Sequence, residues 1–330
     1  MKKFVSVLLS LIMVLTLCVS CASAETAGLK VALCVAETLG DLGFYDSANE
    51  GLKRLEEDLG VVGSVVECKS DASMYQVALV EAAETNDVVV AVGWQFWDGL
   101  TAVAPEMPDT KFIFVDNGLD GVGDNLLSIV YAENQGSFLA GYIAMKLSEN
   151  STVGVIGGEN SDTINNFVVG YKQGALYANP EGKVLDPIYT DDYEAPDKGK
   201  EAALSLYSQG ADVVYQVAGK TGLGVFEAAA EQGKYAIGVD SDQKYINPDV
   251  IICSMMKKVG DSVYSTIARI IVNNEFEGGT IWEADMGTGL VGLGYGDDTM
   301  TQQVSDELKA EVEALAQKII SGEIVVESTR

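Results

Sequence analysis

From residue 30 onward, short apolar runs alternate with segments of helical spacing, and this alternation limits the chain to few architectures. Residues 30–37 (KVALCVAE) form a continuous apolar run, the pattern of a parallel strand buried on both faces. Helical spacing follows over 45–59 and stops at Gly60, a residue type that ends helices in the left-handed conformation. Further strands are expected at 61–69, 87–93 (DVVVAVG), 111–116 (KFIFVD) and 127–131, with a helix at 74–84 and a short one after 93. The pattern then restarts. Helices are expected at 136–147, 166–177, 198–208 and 223–231, and strands at 153–157 (VGVIG), 183–189, 211–217 (ADVVYQV) and 235–240 (YAIGVD). The order strand, Asp-containing loop, helix, apolar strand, Gly occurs in 61–93 and again in 183–219, a repeat of architecture rather than of residue identity. Alternation of this kind predicts an α/β protein with two doubly wound parallel-sheet lobes and right-handed crossovers. No Pro- or Ser-rich linker parts the halves, so the connections are expected to be short hinges. Loops at the carboxyl ends of two facing sheets enclose a cleft that closes by hinge bending. The acidic amphipathic stretch 307–320 is expected to pack on its lobe as a solvated helix.

Composition removes several functional classes. The 330 residues carry 49 Asp and Glu against 21 Lys and Arg, a net charge of -28. Such a surface repels nucleic acid and anionic lipid. With no histidine there is no His base, no Ser-His-Asp or Cys-His nucleophile and no His-ligated metal. Arginine occurs only at Arg54, Arg269 and Arg330, so bidentate phosphate clamps are scarce.

Met1-Lys2-Lys3, the apolar run 4–19 and the small residues that follow read as a secretory signal. It ends in one of two ways. Either Cys21 becomes an acylated first residue after removal of 1–20, tethering the protein to a membrane by lipid alone, or cleavage after Ala24 removes 1–24 and leaves it soluble outside the cell membrane. Cys34, Cys68 and Cys253 lie in apolar strand-like runs and read as buried free thiols, with a Cys34–Cys68 redox pair as the alternative.

Aromatics and carboxylates gather at strand ends. Glu37 and the segment up to Phe44 and Tyr45 follow the first strand, and Trp94 and Trp97 follow the third. Asp116 ends the fourth, and Asp240 ends YAIGVD. Aromatic faces stack on a ring and carboxylates accept from hydroxyl or amine donors, a set suited to a flat, uncharged, polar-edged ligand. Each has a structural alternative: Phe44 and Tyr45 as a hydrophobic staple, the tryptophans as a sheet-edge cap, the aspartates as turns. The run Gly219-Lys220-Thr221-Gly222 is not a phosphate loop, because the pattern needs Gly five residues before Gly219 and Val214 stands there. No cofactor is called for.

Segments 133–141 (ENQGSFLAG), 199–210 (GKEAALSLYSQG), 219–224 (GKTGLG) and 235–243 (YAIGVDSDQ), with the closing IISGEIVV, resemble the basic membrane protein (BMP) family, which includes purine nucleoside receptor lipoproteins. The resemblance runs from about residue 30 to the C-terminus. It implies a type I periplasmic-binding-protein-like fold whose lobes meet at a three-segment hinge. One lobe would comprise 28–132 plus about 256–285, the other 133–255 plus about 286–330. It implies a binding protein, not an enzyme: a monomer that captures a nucleoside, a purine by preference, and delivers it to a permease and ATPase on separate chains. Phe44 would stack on the base. Asp240 and Lys257 would hold the ribose, Asp116 would match the family's Asp after the fourth strand, and Gly219 and Gly222 would border the ligand. The second stacking aromatic falls on Phe167 or Tyr215. Departures cluster on the base side: Glu37-Thr-Leu-Gly-Asp41 for an Asp-Gly-Gly-like loop, Tyr45 for Asn, Gly93-Trp94 for Gly-Phe, and Gly219-Lys220-Thr221 for Gly-Gly-Thr. They leave open another ring ligand such as a flavin, and a sensor in place of a transporter. A nucleoside hydrolase using clustered aspartates and calcium is the enzymatic alternative.

Overall fold

The computed structural model describes residues 28–330; the signal-like segment and Cys21 lie outside the described residues. The first half builds β1 (Lys30–Val35), α1 (Phe44–Leu59), β2 (Val62–Glu67), α2 (Ala72–Thr85), β3 (Val88–Val92), α3 (Trp97–Val103), β4 (Lys111–Val115) and β5 (Leu126–Tyr131). The second begins with α4 (Glu133–Leu147), β6 (Thr152–Gly157), α5 (Asp162–Ala178), β7 (Lys183–Val184) and β8 (Ile188–Tyr189). It continues with α6 (Pro196–Ser208), β9 (Val213–Val217), α7 (Leu223–Gln232), β10 (Tyr235–Asp240) and β11 (Ile251–Lys257). The chain closes with α8 (Val259–Asn273), β12 (Thr280–Ala284), β13 (Val291–Gly294) and α9 (Asp306–Ile320).

The strands form two sheets, ordered β12-β5-β4-β3-β1-β2 and β13-β11-β10-β9-β6-β7, with β8 paired to β6. All pairings are parallel except β11 with β13. The chain passes from the first sheet to the second after Tyr131, returns after Lys257 to supply β12, and crosses again to supply β13. Three crossing segments therefore join two doubly wound lobes, the architecture expected from the alternation. Central strands are dry on both faces: every residue of β3 (VVVAV) and of β9 (VVYQV) is buried. That explains why they read as unbroken apolar runs rather than alternating ones.

Boundaries differ from the sequence expectation where polar first turns hide a helix. α4 starts at Glu133 and α5 at Asp162, the latter capped by Ser161, whose side chain accepts from the Ile164 N–H. The strand expected over 183–189 is two short pairings, because Pro187 lies between them and has no N–H for the ladder. The strands and helix of 251–294 were not expected from periodicity. β11 reads IICSMMK, and β12 is an exposed edge strand without alternation. Cys34, Cys68 and Cys253 are free and buried, and burial pushes the Cys34 thiol up to about 12, as for inert core thiols.

Helices α4 and α5 touch backbone to backbone. A Cβ on Gly174 would overlap the Phe138 carbonyl, and one on Gly170 the Asn134 carbonyl. Because this pair carries the wall of the second lobe, Gly174→Val is expected to lower the thermal midpoint by roughly 5–10 °C, read by differential scanning calorimetry. An unchanged midpoint would mean that the helices can separate without loss.

Candidate ligand-binding cleft

The carboxyl ends of both sheets face a cavity holding about 600 Å³ of empty space, its mouth included. Its floor is a charged cluster. Asp116 follows β4 and Asp240 ends β10, and both adopt left-handed backbone, with φ of 79° and 64°. This conformation is uncommon for residues other than Gly, Asn and Asp, and here it turns each carboxylate off its strand end into the cleft. Lys257 ends β11 and lies between them, its side chain only 3% exposed. Its ammonium donates to Asp116 Oδ1 at 2.8 Å and stands 3.7 Å from Asp240 Oδ1 and 3.8 Å from Glu133 Oε1. The rings of Phe44 and Phe167 cover it at 4.7 and 5.0 Å from their centroids. Burial works against the ammonium's charge, but the three carboxylates outweigh it and hold the pKa above its ordinary value. Burial, with Asp116 and other acids nearby and Lys257 opposing, pushes the Asp240 carboxyl up to about 7. Its Oδ1 is buried without a hydrogen-bond partner.

Aromatic walls stand over this floor. Asp41 accepts from the N–H groups of Gly43, Tyr45 and Asp46, which fixes the start of α1 and with it Phe44. From the other lobe Tyr193 reaches in from the loop after β8. Its ring lies on Gly158, where a Cβ would overlap it, and its carbonyl accepts from the Thr221 N–H at 3.0 Å. Trp94 and Gln95 form the side wall. The lobes meet on both flanks: Thr38 Oγ1 donates to Glu194 Oε2 at 2.9 Å on one, and Gln243 Nε2 donates to the Leu42 carbonyl at 3.1 Å on the other. The cleft is closed.

Of the residues singled out by sequence, Phe44, Tyr45, Trp94, Asp116, Phe167, Gly219, Asp240 and Lys257 line this cavity. Four do not. Trp97 sits on α3 with its ring edge-on to Phe114 at 6.3 Å. Tyr215 lies mid-strand in β9, its hydroxyl 3.3 Å from that of Ser137 and its ring against Tyr171, because a central strand residue points into the core. Gly222 is pressed against Gln216 in the 3-10 turn after β9. Glu37 lies behind Gln95, which donates to its Oε1 at 2.7 Å. Burial, reinforced by Glu194, Glu159 and Asp41, pushes the Glu37 carboxyl up to about 8, and its Oε2 has no partner. Tyr193, Glu194 and Thr163 were missed. Only the position of Tyr193 just past the strand expected over 183–189 could have signalled it.

Two doubly wound lobes crossed three times by the chain, with a lined cleft between the strand ends, define a solute-binding protein of the type I periplasmic-binding-protein-like fold. A solved ABC transporter solute-binding protein from Aeropyrum pernix K1 superposes with a TM-score of 0.81 at 27% identity, covering 91% of this chain and 94% of that one. Basic membrane protein A of Borreliella burgdorferi is 32% identical over 305 residues, 91% of this chain and 88% of that protein. Basic membrane protein B of Borreliella afzelii is 34% identical over 308 residues, 90% and 87% respectively. The family described as ABC transporter substrate-binding protein PnrA-like matches residues 29–330. The chain belongs to this PnrA-like, or Bmp, family. It is thus a substrate-binding protein of an ABC importer, a class that works outside the cytoplasm with a permease and ATPase and binds rather than transforms its ligand. Among the described residues no helix is long and apolar enough to cross a membrane.

Proposed function

We propose that this protein captures a nucleoside, a purine nucleoside first. The observation that carries the reading is the buried Asp240 oxygen without a hydrogen-bond partner, set beside Lys257, whose ammonium the ring of Phe44 covers. A buried acceptor left unpaired costs about 1–3 kcal/mol, and a sugar hydroxyl removes that cost. The ammonium, already committed to Asp116, has a further proton to offer a second hydroxyl. Phe44 from one lobe and Tyr193 from the other then bracket the base. Gln95, with one unpartnered acceptor and Glu37 behind it, lies toward its edge.

Charge argues for a neutral guest. The floor sets the carboxylates of Asp116, Asp240 and Glu133 against Lys257 and Arg330, so a nucleotide phosphate meets excess negative charge. Micromolar binding requires about 8 kcal/mol, and stacking adds only ~0.5–1.5 kcal/mol per pair beyond area. Closure of both lobes on the base supplies the larger share. The lobes assigned to this motion are 28–132 with about 256–285 and 133–255 with about 286–330. The protein acts as a monomer outside the cytoplasm, held to the outer face of the cell membrane if Cys21 is acylated and released from it if cleavage falls after Ala24.

Asp240→Ala is expected to weaken purine nucleoside binding more than tenfold in titration calorimetry. Unchanged affinity would remove the sugar assignment. Native mass spectrometry of the freshly purified protein gives an independent reading: a co-purified nucleoside mass supports the proposal, and a different ring compound replaces it.

A further inference from the structure

Residues 325–330 run along α4 and α5 and end in the floor of the cleft. Asn134 Nδ2 donates to the carbonyls of Val326 and Glu327 at 3.2 and 3.0 Å, and Gln173 bonds Val325 and Glu327. Asn166 Oδ1 accepts from Ser328 Oγ and the Thr329 N–H. This binding delivers the Arg330 guanidinium across the boundary between the lobes. On the first lobe Nη2 donates to the Asp116 carbonyl at 3.3 Å, and Nη1 to the Tyr131 carbonyl at 3.4 Å. On the second, Nη2 donates to Thr163 Oγ1 at 2.7 Å and stands 3.3 Å from Glu133 Oε1. Thr163 itself lines the cavity.

Glu133 is the group this cation serves. It is fully buried at the first position of α4, and its Oε2 accepts from Asn166 Nδ2 at 2.7 Å. Its Oε1 has no hydrogen bond and faces two cations, Arg330 and Lys257. From the neighbouring elements Asp116 faces it after β4 and Tyr131 at the end of β5, while Asp240 shares Lys257 with it. Without Arg330, Lys257 would be the only cation for three buried carboxylates. It would then be drawn toward Glu133 and away from Asp116 and Asp240.

We propose that Arg330 is a positioning residue of the ligand site: by balancing Glu133 it leaves the Lys257 ammonium to the two aspartates that face the ligand, and the 325–330 segment is thereby part of the site. The binding consequence rests on the nucleoside reading given above; the stability consequence does not.

The test uses Arg330→Gln, Glu133→Gln and the double variant in the full chain. Burial pushes the Glu133 carboxyl up to about 7, with Arg330 the leading opposing influence. Removing Arg330 raises it further. A native carboxyl raised above its unfolded value, about 4.3, makes stability fall as pH rises toward the native pKa. The midpoint deficit of Arg330→Gln should therefore be smaller at pH 5.5, where Glu133 is protonated in both and only the hydrogen bonds to Asp116, Tyr131 and Thr163 are lost, than at pH 8.5. On the Glu133→Gln background this pH dependence should vanish. In parallel, Arg330→Gln should weaken inosine binding about tenfold at pH 8, and the double variant should come back to within about threefold of Glu133→Gln alone. A midpoint loss equal at both pH values, or an affinity loss that Glu133→Gln does not relieve, would reduce Arg330 to a structural tie and overturn the proposal. If the wild type ignores inosine while the midpoint pattern holds, the nucleoside reading fails and the role of Arg330 in the cluster stands.

Discussion

Lys257→Met is expected to abolish measurable binding of the proposed nucleoside and to destabilise the protein more as pH rises. The ammonium is the common partner of Asp116, Asp240 and Glu133, all buried. Removing one member of a buried ion pair leaves uncompensated charge, at a cost of about 3–5 kcal/mol. Methionine retains the apolar stem beneath Phe44 and Phe167, so the loss reports charge rather than volume. The direction with pH follows from the carboxyls. Asp240 and Glu133 are already raised to about 7, chiefly by burial, against the opposing pull of Lys257. Without it both rise further, so the native state holds more protons than the unfolded chain over a wider range, and stability falls as pH climbs through that range. Thermal midpoints at pH 5.5 and 8.5 should show a deficit several degrees larger at the higher pH. In calorimetry, affinity should fall by at least about a hundredfold, the loss of the charge-assisted bond to the second hydroxyl and of the aspartate alignment. A variant as tight as wild type would show that Lys257 holds the lobes and not the ligand.

What could be seen in the sequence, and what could not, divides along locality. The runs VVVAV and YAIGVD declare themselves because a strand buried on both faces needs no partner to be recognised. Asp116 and Asp240 are legible by the same route: a carboxylate that ends an apolar strand of a parallel sheet stands where such sheets bind ligands. Lys257 is different. Its strand carries Cys, Ser and two Met, gives no clear period, and is picked out only through the family resemblance. Tyr215 illustrates the opposite failure. Its aromatic ring and apolar surroundings fit a ligand wall and a core equally well, and its place in the middle of β9 puts it in the core. Tyr193 and Arg330 were illegible because nothing local marks them. One comes in from a loop behind a proline-broken strand, and the other from a segment whose course is set by Asn134, Asn166 and Gln173, far away in sequence.

The aromatic bracket is the other place where a single change should be large. Phe44→Ala is expected to weaken nucleoside binding by roughly 30- to 1,000-fold, about 2–4 kcal/mol, and Tyr193→Ala by a similar factor. The first loss has two sources. The ring supplies apolar area against the base, and it also covers the Lys257 ammonium at 4.7 Å, so its removal lets water reach the ion cluster and weakens every contact made there. The second has one source, since Tyr193 lies on Gly158 while the rings over the Lys257 ammonium are those of Phe44, Tyr131 and Phe167; its loss is one of area and closure. The two variants should therefore part company in salt. Raising ionic strength should deepen the Phe44→Ala defect, where the cluster has become solvated, and leave the Tyr193→Ala defect nearly constant. Phe44→Leu, which restores cover without a π-face, should recover the salt insensitivity but not the full affinity. Equal salt responses would show that Phe44 acts by stacking alone, and an unaltered affinity in Tyr193→Ala would remove the second wall of the bracket.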